Sequence, residues 1–178
     1  MRQVDPFASP ERLIARVYAY AAYRIGAGPD AEDVVQETFA RALRYRESFD
    51  PRKGSAIAWL VGIARRCLAD RGVPAVATLT DEHEPASAAD ELETRSIDRI
   101  DLHDALALLE PRERELLSLR YGADLTAKQI GELVGMKTNA VEVALHRALA
   151  RLRTQLGESG DAPAPGRSTV RPLAAPTD

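Results

Sequence analysis

Residues 125–156, LTAKQIGELVGMKTNAVEVALHRALARLRTQL, constrain this chain more tightly than any other stretch. Thr126 followed three residues later by Gln129 predicts a capping box, in which hydroxyl and amide each satisfy an orphan backbone donor. Ile130 and Val134 recur at helical spacing, and Gly135 ends that helix where a positive φ is easiest for glycine. Met136 and Lys137 complete a turn, and Thr138 or Asn139 is positioned to cap a second helix. Val141, Leu145, Ala148, Leu149, Leu152 and Leu156 give that helix one apolar face, with His146, Arg147, Arg151 and Arg153 mostly off it. Two helices on a short glycine-containing turn are the shape that places a second helix in the DNA major groove. Spacing alone also admits an ordinary helical hairpin with a solvated basic side.

With 178 residues there is room for one domain or two small ones, and 45% hydrophobic with 29% charged residues is a globular composition. No apolar run approaches the ~18 residues of a membrane span, and MRQVDPFASPERL lacks a signal peptide's apolar core. A single cysteine excludes an internal disulfide framework and suits a reducing compartment, so the expectation is a cytoplasmic protein. The net charge of -3 is unevenly spread. Acids dominate residues 81–104, from Asp81 and Glu82 to Asp101 and Asp104, whereas bases dominate residues 41–71. A basic face therefore coexists with an acidic total, and phosphate responds to the local field.

Ser9-Pro10 opens a first helix, with Leu13, Ile14, Val17, Ala21 and Ile25 as its apolar stripe. Gly26-Ala27-Gly28-Pro29 breaks it. No strand precedes this turn and the spacing is not that of a phosphate loop, so it predicts no nucleotide site. Asp30 is the expected cap of a second helix, with Val34, Val35, Phe39, Ala42 and Leu43 inward and Glu32, Asp33, Gln36, Glu37 and Arg41 outward. Residues 46–54 read as a loop in which Phe49 sits among Arg46, Arg52 and Lys53. An aromatic flanked by cations suits a stacked or flipped base, and equally suits a ring anchoring the loop to the core. Ser55 caps a third helix with Ile57, Leu60, Ile63, Ala64, Cys67 and Leu68 apolar, leaving Trp59, Arg65, Arg66 and Arg71 at the rim.

From Gly72 to about Ser96 the apolar pattern fails, which predicts a flexible, acidic linker. Ile97, Ile100, Leu102, Ala105, Leu106 and Leu109 suggest a further helix, and Pro111 starts another that Gly122 stops. Beyond Leu156 the tail is rich in proline, glycine and alanine and is expected to be disordered. His83, His103 and His146 are isolated, and no nucleophile, paired carboxylate or metal-ligand spacing appears. Neither catalysis nor a cofactor or metal is expected.

Together, DAEDVVQETFARAL at 30–43, AWLVGIARR at 58–66 and LEPRERELLSLRYGADLTAKQIGELVGM at 109–136 resemble the bacterial RNA polymerase sigma factors of the extracytoplasmic-function type, within the sigma-70 family. The resemblance covers nearly everything from Arg12 to Leu156. It implies an all-α chain of two small domains: a region 2-like domain at 1–72 and a region 4-like helix-turn-helix domain at 97–156. Between them lies an acidic linker at 73–96, and a disordered tail follows at 157–178. It further implies that Asp33, Gln36, Glu37 and Arg41 dock on core RNA polymerase. Phe49, Arg52, Lys53, Trp59, Arg65 and Arg66 would lie near the minus-ten element. Thr138, Asn139, Glu142 and Arg147 would reach the minus-thirty-five element, the linker would thread toward the polymerase active site, and an anti-sigma factor is an implied partner.

Two departures stand out. Where the family commonly has glycine, threonine, valine, lysine, serine and arginine, this chain has Asn139, Ala140, Val141, Glu142, Val143 and Ala144, so two cations are replaced. Arg66 stands where an asparagine is common, and Gly72-Val73-Pro74 cuts short the basic run beyond that helix. The resulting expectation is a promoter-specificity subunit of RNA polymerase that binds promoter DNA and is not itself an enzyme. A stand-alone helix-turn-helix regulator leaves residues 10–71 without a task, and a helical adaptor without DNA contact is separated by a salt-dependent DNA-binding assay.

Overall fold

Local sequence rules account for the helices one by one. The computed structural model describes Phe7 and residues 9–73 and 102–157, among which seven α-helices follow in order. Helix α1 (Pro10–Ile25) has Pro10 at its start, where no intrahelical N–H is lost, and Ser9 at the cap position without a side-chain cap bond. Helix α2 (Pro29–Arg44) starts two residues earlier than a cap at Asp30 would give. Gly28, not Asp30, is its cap residue, and Asp30 and Glu32 instead place negative charge in the first turn. A single 3-10 turn (Arg46–Ser48) leads into the loop before α3 (Ala56–Asp70), which the Ser55 hydroxyl caps by accepting from the Ala58 N–H.

Helix α4 (Leu102–Ala107) and α5 (Pro111–Leu117) follow, and α5 widens into a π turn (Ser118–Gly122) in which the Ala123 N–H reaches the Ser118 carbonyl at 2.9 Å. Helices α6 (Ala127–Val134) and α7 (Thr138–Gln155) complete the helix-turn-helix. The capping box forms as expected, with the Gln129 N–H on Thr126 Oγ1 at 3.3 Å and the Thr126 N–H on Gln129 Oε1 at 2.9 Å. Gly135 takes the left-handed conformation at φ 76°, and the Gly135 and Met136 N–H groups both return to the Gly131 carbonyl. Neither Thr138 nor Asn139 caps α7. Lys137 holds the cap position without a side-chain capping bond, and Thr138 opens the helix.

The two helical units do not stand apart. One buried cluster joins Val17, Tyr20, Val34, Leu60 and Leu68 of the first unit to Leu116, Leu119, Leu125 and Ile130 of the second. A smaller cluster joins Ala105, Leu106, Leu109 and Leu117 to Ala148 and Leu152, with Tyr23 of α1 packed against it. Burying apolar area at ~25 cal/mol per Å² makes such a shared core the main attraction between the units. The backbones of the two units come close at Gly122, where a Cβ would lie 2.8 Å from the Tyr20 nitrogen and 2.9 Å from its Cα. Only glycine lets the π turn lie that close to α1.

Three residues of the expected apolar stripes point outward: Ile14 is 44% exposed, Leu43 58% and Leu102 41%. In exchange, Tyr20 and Arg24 of α1 are buried. The acidic segment from Pro74 to Asp101, with nearly all of the expected linker, and the tail from Glu158 onward lie outside the described residues.

Candidate nucleic-acid and polymerase interface

The outward face of α2 leaves Asp33 and Gln36 exposed, with Glu37 and Arg41 partly covered. Arg41 is tied down on both sides, with Nε on Glu37 Oε1 at 2.6 Å and an NH group on Asp70 Oδ2 at 2.8 Å. These two hydrogen bonds push the guanidinium pKa above its ordinary value and brace α2 against the end of α3. Beneath this face Thr38 donates to the Val34 carbonyl at 2.6 Å, and its hydroxyl lies 3.8 Å from the Cys67 sulfur. Burial pushes the Cys67 thiol up, as befits a small core residue.

In the loop between α2 and α3, Phe49 leans on Trp59 with ring centroids 5.4 Å apart at a 50° tilt. Both rings line an open hollow of about 250 Å³, together with Ser48, Asp50 and Lys53 from the loop and Gln129, Glu132 and Leu133 from α6. Arg52 and Lys53 stand in solvent at the rim. Arg52 folds back onto Asp50 through backbone and side chain, which holds the Asp50 carboxyl below the usual range. Arg66 is exposed on α3, whereas Arg65, its neighbour, turns inward.

On α7, Thr138, Asn139, Glu142 and Arg147 are all exposed, with Val143 open beside them at 52%. Arg151 faces elsewhere and pairs with Glu113 of α5 at 2.8 Å, anchoring α7 to its own unit. Arg114 of α5 donates to the Leu106, Ala107 and Leu109 carbonyls, closing the end of α4, and burial lowers its pKa.

The inward turn of Arg65 reveals a cluster not anticipated from sequence. Glu115 of α5 is completely buried between two cations of the other unit, with Oε1 2.6 Å from Arg65 Nε and Oε2 3.1 Å from Arg24 NH1. The Tyr20 phenol also hydrogen-bonds Glu115, and burial pushes that phenol well above its ordinary pKa. Arg65 donates in addition to the Leu133 carbonyl at 3.0 Å, Arg16 donates to the Ala123 and Asp124 carbonyls, and Gln129 donates to Ser55 Oγ at 3.1 Å. A legible signal did exist. Arg24 falls in register with Val17 and Ala21, and Glu115 directly precedes Leu116 and Leu117, so each charge interrupts an apolar stripe.

Set beside known proteins, residues 11–71 match Sigma-70 region 2 and residues 99–152 match Sigma-70, region 4. The sigma factor CarQ of Myxococcus xanthus is 35% identical over 152 residues, covering 83% of this chain and 86% of CarQ. The sigma factor SigL of Mycobacterium tuberculosis is 32% identical, covering 82% of this chain and 85% of SigL. This chain belongs to the ECF RNA polymerase sigma factors.

The same fold occurs in the sigma factor RpoE of Bartonella quintana, solved in complex with the anti-sigma factor NepR, at a TM-score of 0.61 and 23% identity over 83% of this chain and 94% of that one. The ECF sigma factor BldN of Streptomyces coelicolor is 31% identical over 143 residues, and the chain spans only 54% of BldN's length. Sigma factors direct promoter recognition in transcription initiation, which gives residues 11–71 the task that a stand-alone helix-turn-helix regulator would leave empty. No helix of this sigma factor among the described residues is long and apolar enough to cross a membrane.

Proposed function

We propose that this sigma factor binds core RNA polymerase through the outward face of α2, with Asp33, Gln36, Glu37 and Arg41 as the contact set. The loop and α3 then capture the minus-ten element, Phe49 and Trp59 receiving a base at the hollow while Arg52, Lys53, Arg65 and Arg66 hold phosphates. Helix α7 reads the minus-thirty-five element through Thr138, Asn139, Glu142 and Arg147. On this reading residues 1–72 and 97–156 are the two working domains, residues 73–96 connect them, and the tail at 157–178 takes no part. Action is by binding alone, without catalysis or cofactor, in the cytoplasm where the polymerase works. An anti-sigma factor is the expected regulatory partner, by analogy with the Bartonella RpoE complex.

The observation that supports this most is the pairing of an aromatic-lined hollow at residues 48–59 with an exposed helix-turn-helix on the same chain. Run-off transcription with purified core polymerase on genomic promoters is the test. The expected result is sigma-dependent initiation that mutation of either promoter element abolishes. Duplex binding without any stimulation of core polymerase would overturn the reading.

A further inference from the structure

We infer that Val143 is a specificity-determining residue of α7, packing against the C5-methyl group of a thymine in the minus-thirty-five element. The inference rests on the proposed placement of α7 in the major groove. Asn139, Glu142, Val143, His146 and Arg147 recur at spacings of three and four, which puts them on one stripe of the helix, and all five are exposed. Val141, Ala148 and Leu152 are buried on the opposite face. Val143 is the one aliphatic side chain of the five. It is 52% exposed and joins neither of the two apolar clusters, so the fold of the free protein makes no use of it. A single exposed valine is ordinary on a protein surface. Its setting is not, because the isopropyl group is ringed by amide, carboxylate and guanidinium groups, which are those that hydrogen-bond base edges.

The floor of the major groove offers a methyl group at one base, thymine, and elsewhere presents donors and acceptors. An aliphatic group laid against those polar edges covers them without bonding them, which costs free energy. Laid against the thymine methyl, it removes apolar area from water on both partners. Valine suits this task because branching at Cβ leaves one strongly preferred χ1 in a helix, so little side-chain freedom is lost on contact. Ala140 and Ala144 beside it are short and half-buried, and the isopropyl group stands clear of the helix on that side. Glu142 and Arg147 offset one another in charge along the same stripe. General attraction to phosphate is therefore weak there, and contacts with the bases carry more of the choice of site.

The test uses holoenzyme assembled from the full chain and core polymerase, with a genomic promoter duplex that it transcribes in the run-off assay. Each thymine of the minus-thirty-five element, on either strand, is replaced in turn by deoxyuridine, which removes the methyl group and keeps every hydrogen-bonding atom. Affinity is measured by competition at fixed salt. One replacement is expected to weaken binding of the native protein about fourfold, the worth of one buried methyl group. Val143→Ala, which favours the helix and leaves the core untouched, is expected to bind the thymine and uracil duplexes alike. Val143→Thr, which keeps a methyl on Cβ, is expected to restore part of the difference. A native protein indifferent to uracil at every position overturns the inference, as does a thymine preference that survives unchanged in Val143→Ala. Binding that responds to no base-pair change anywhere in the element is a distinct result: it removes α7 from the groove, and the role of Val143 falls with that placement.

Discussion

Gly122→Ala asks whether the two units pack in solution, and the sign of its effect carries the answer. The added methyl would meet the Tyr20 nitrogen at 2.8 Å, the Tyr20 Cα at 2.9 Å and the Ala19 carbonyl carbon at 3.0 Å. All three are backbone atoms of α1, which cannot swing aside as a side chain can. Forcing an extra carbon into such a contact costs about 1–3 kcal/mol. Gly122 is not among the glycines at positive φ, so alanine meets no backbone penalty there. It also narrows the unfolded ensemble, which stabilises by about 0.4–1 kcal/mol. The difference is a net destabilisation of roughly 0–2.6 kcal/mol, a fall of up to several degrees in melting temperature for a chain of this size. Circular dichroism melting of the free full-length protein measures it. Gly54→Ala serves as the control, since no atom lies within 4 Å of that added methyl and the change should be neutral or stabilising. If Gly122→Ala raises the melting temperature as the control does, α1 and the π turn are not in contact in solution, and the reasoning built on their packing fails.

Three further variants probe other parts of the molecule. Gln36→Ala with Glu37→Lys should weaken core polymerase binding while the melting temperature barely moves, because both side chains lie off the core and only the surface pair with Arg41 is lost; unchanged affinity in a pull-down titration counts against the α2 face. Leu119→Ala removes a fully buried side chain from the cluster shared by both units and should destabilise by about 2–5 kcal/mol in chemical denaturation, with a loss below 1 kcal/mol arguing for a loose junction. Glu142→Gln should either tighten binding to all duplexes together, if the carboxylate only repels phosphate, or relax preference at one base pair by ~1–3 kcal/mol, if it accepts from a cytosine amine. A base-by-base binding profile at fixed salt that is unchanged in strength and pattern would remove Glu142 from the DNA surface.

The sequence by itself determined the helices and most of their ends, because those rest on interactions within a few residues. The Thr126–Gln129 box, the Ser55 cap and the left-handed Gly135 are all local backbone chemistry, legible without neighbours. Periodicity likewise found Val17, Val34, Leu60, Ile130 and Val141, and the three family-like segments carried the sigma-factor assignment. Tertiary structure decided what those surfaces face. The outward turn of Leu43 depends on which side of α2 its neighbours α1 and α3 cover. Arg65 read as a free rim cation because its counter-ion stands fifty residues further along. Glu115 and Arg24 interrupt apolar stripes, and the cost of burying a charge reveals its partner only once the two units are laid together. Helical spacing reports which side of a helix is covered, whereas the identity of the covering group is a long-range property that only the packed chain supplies.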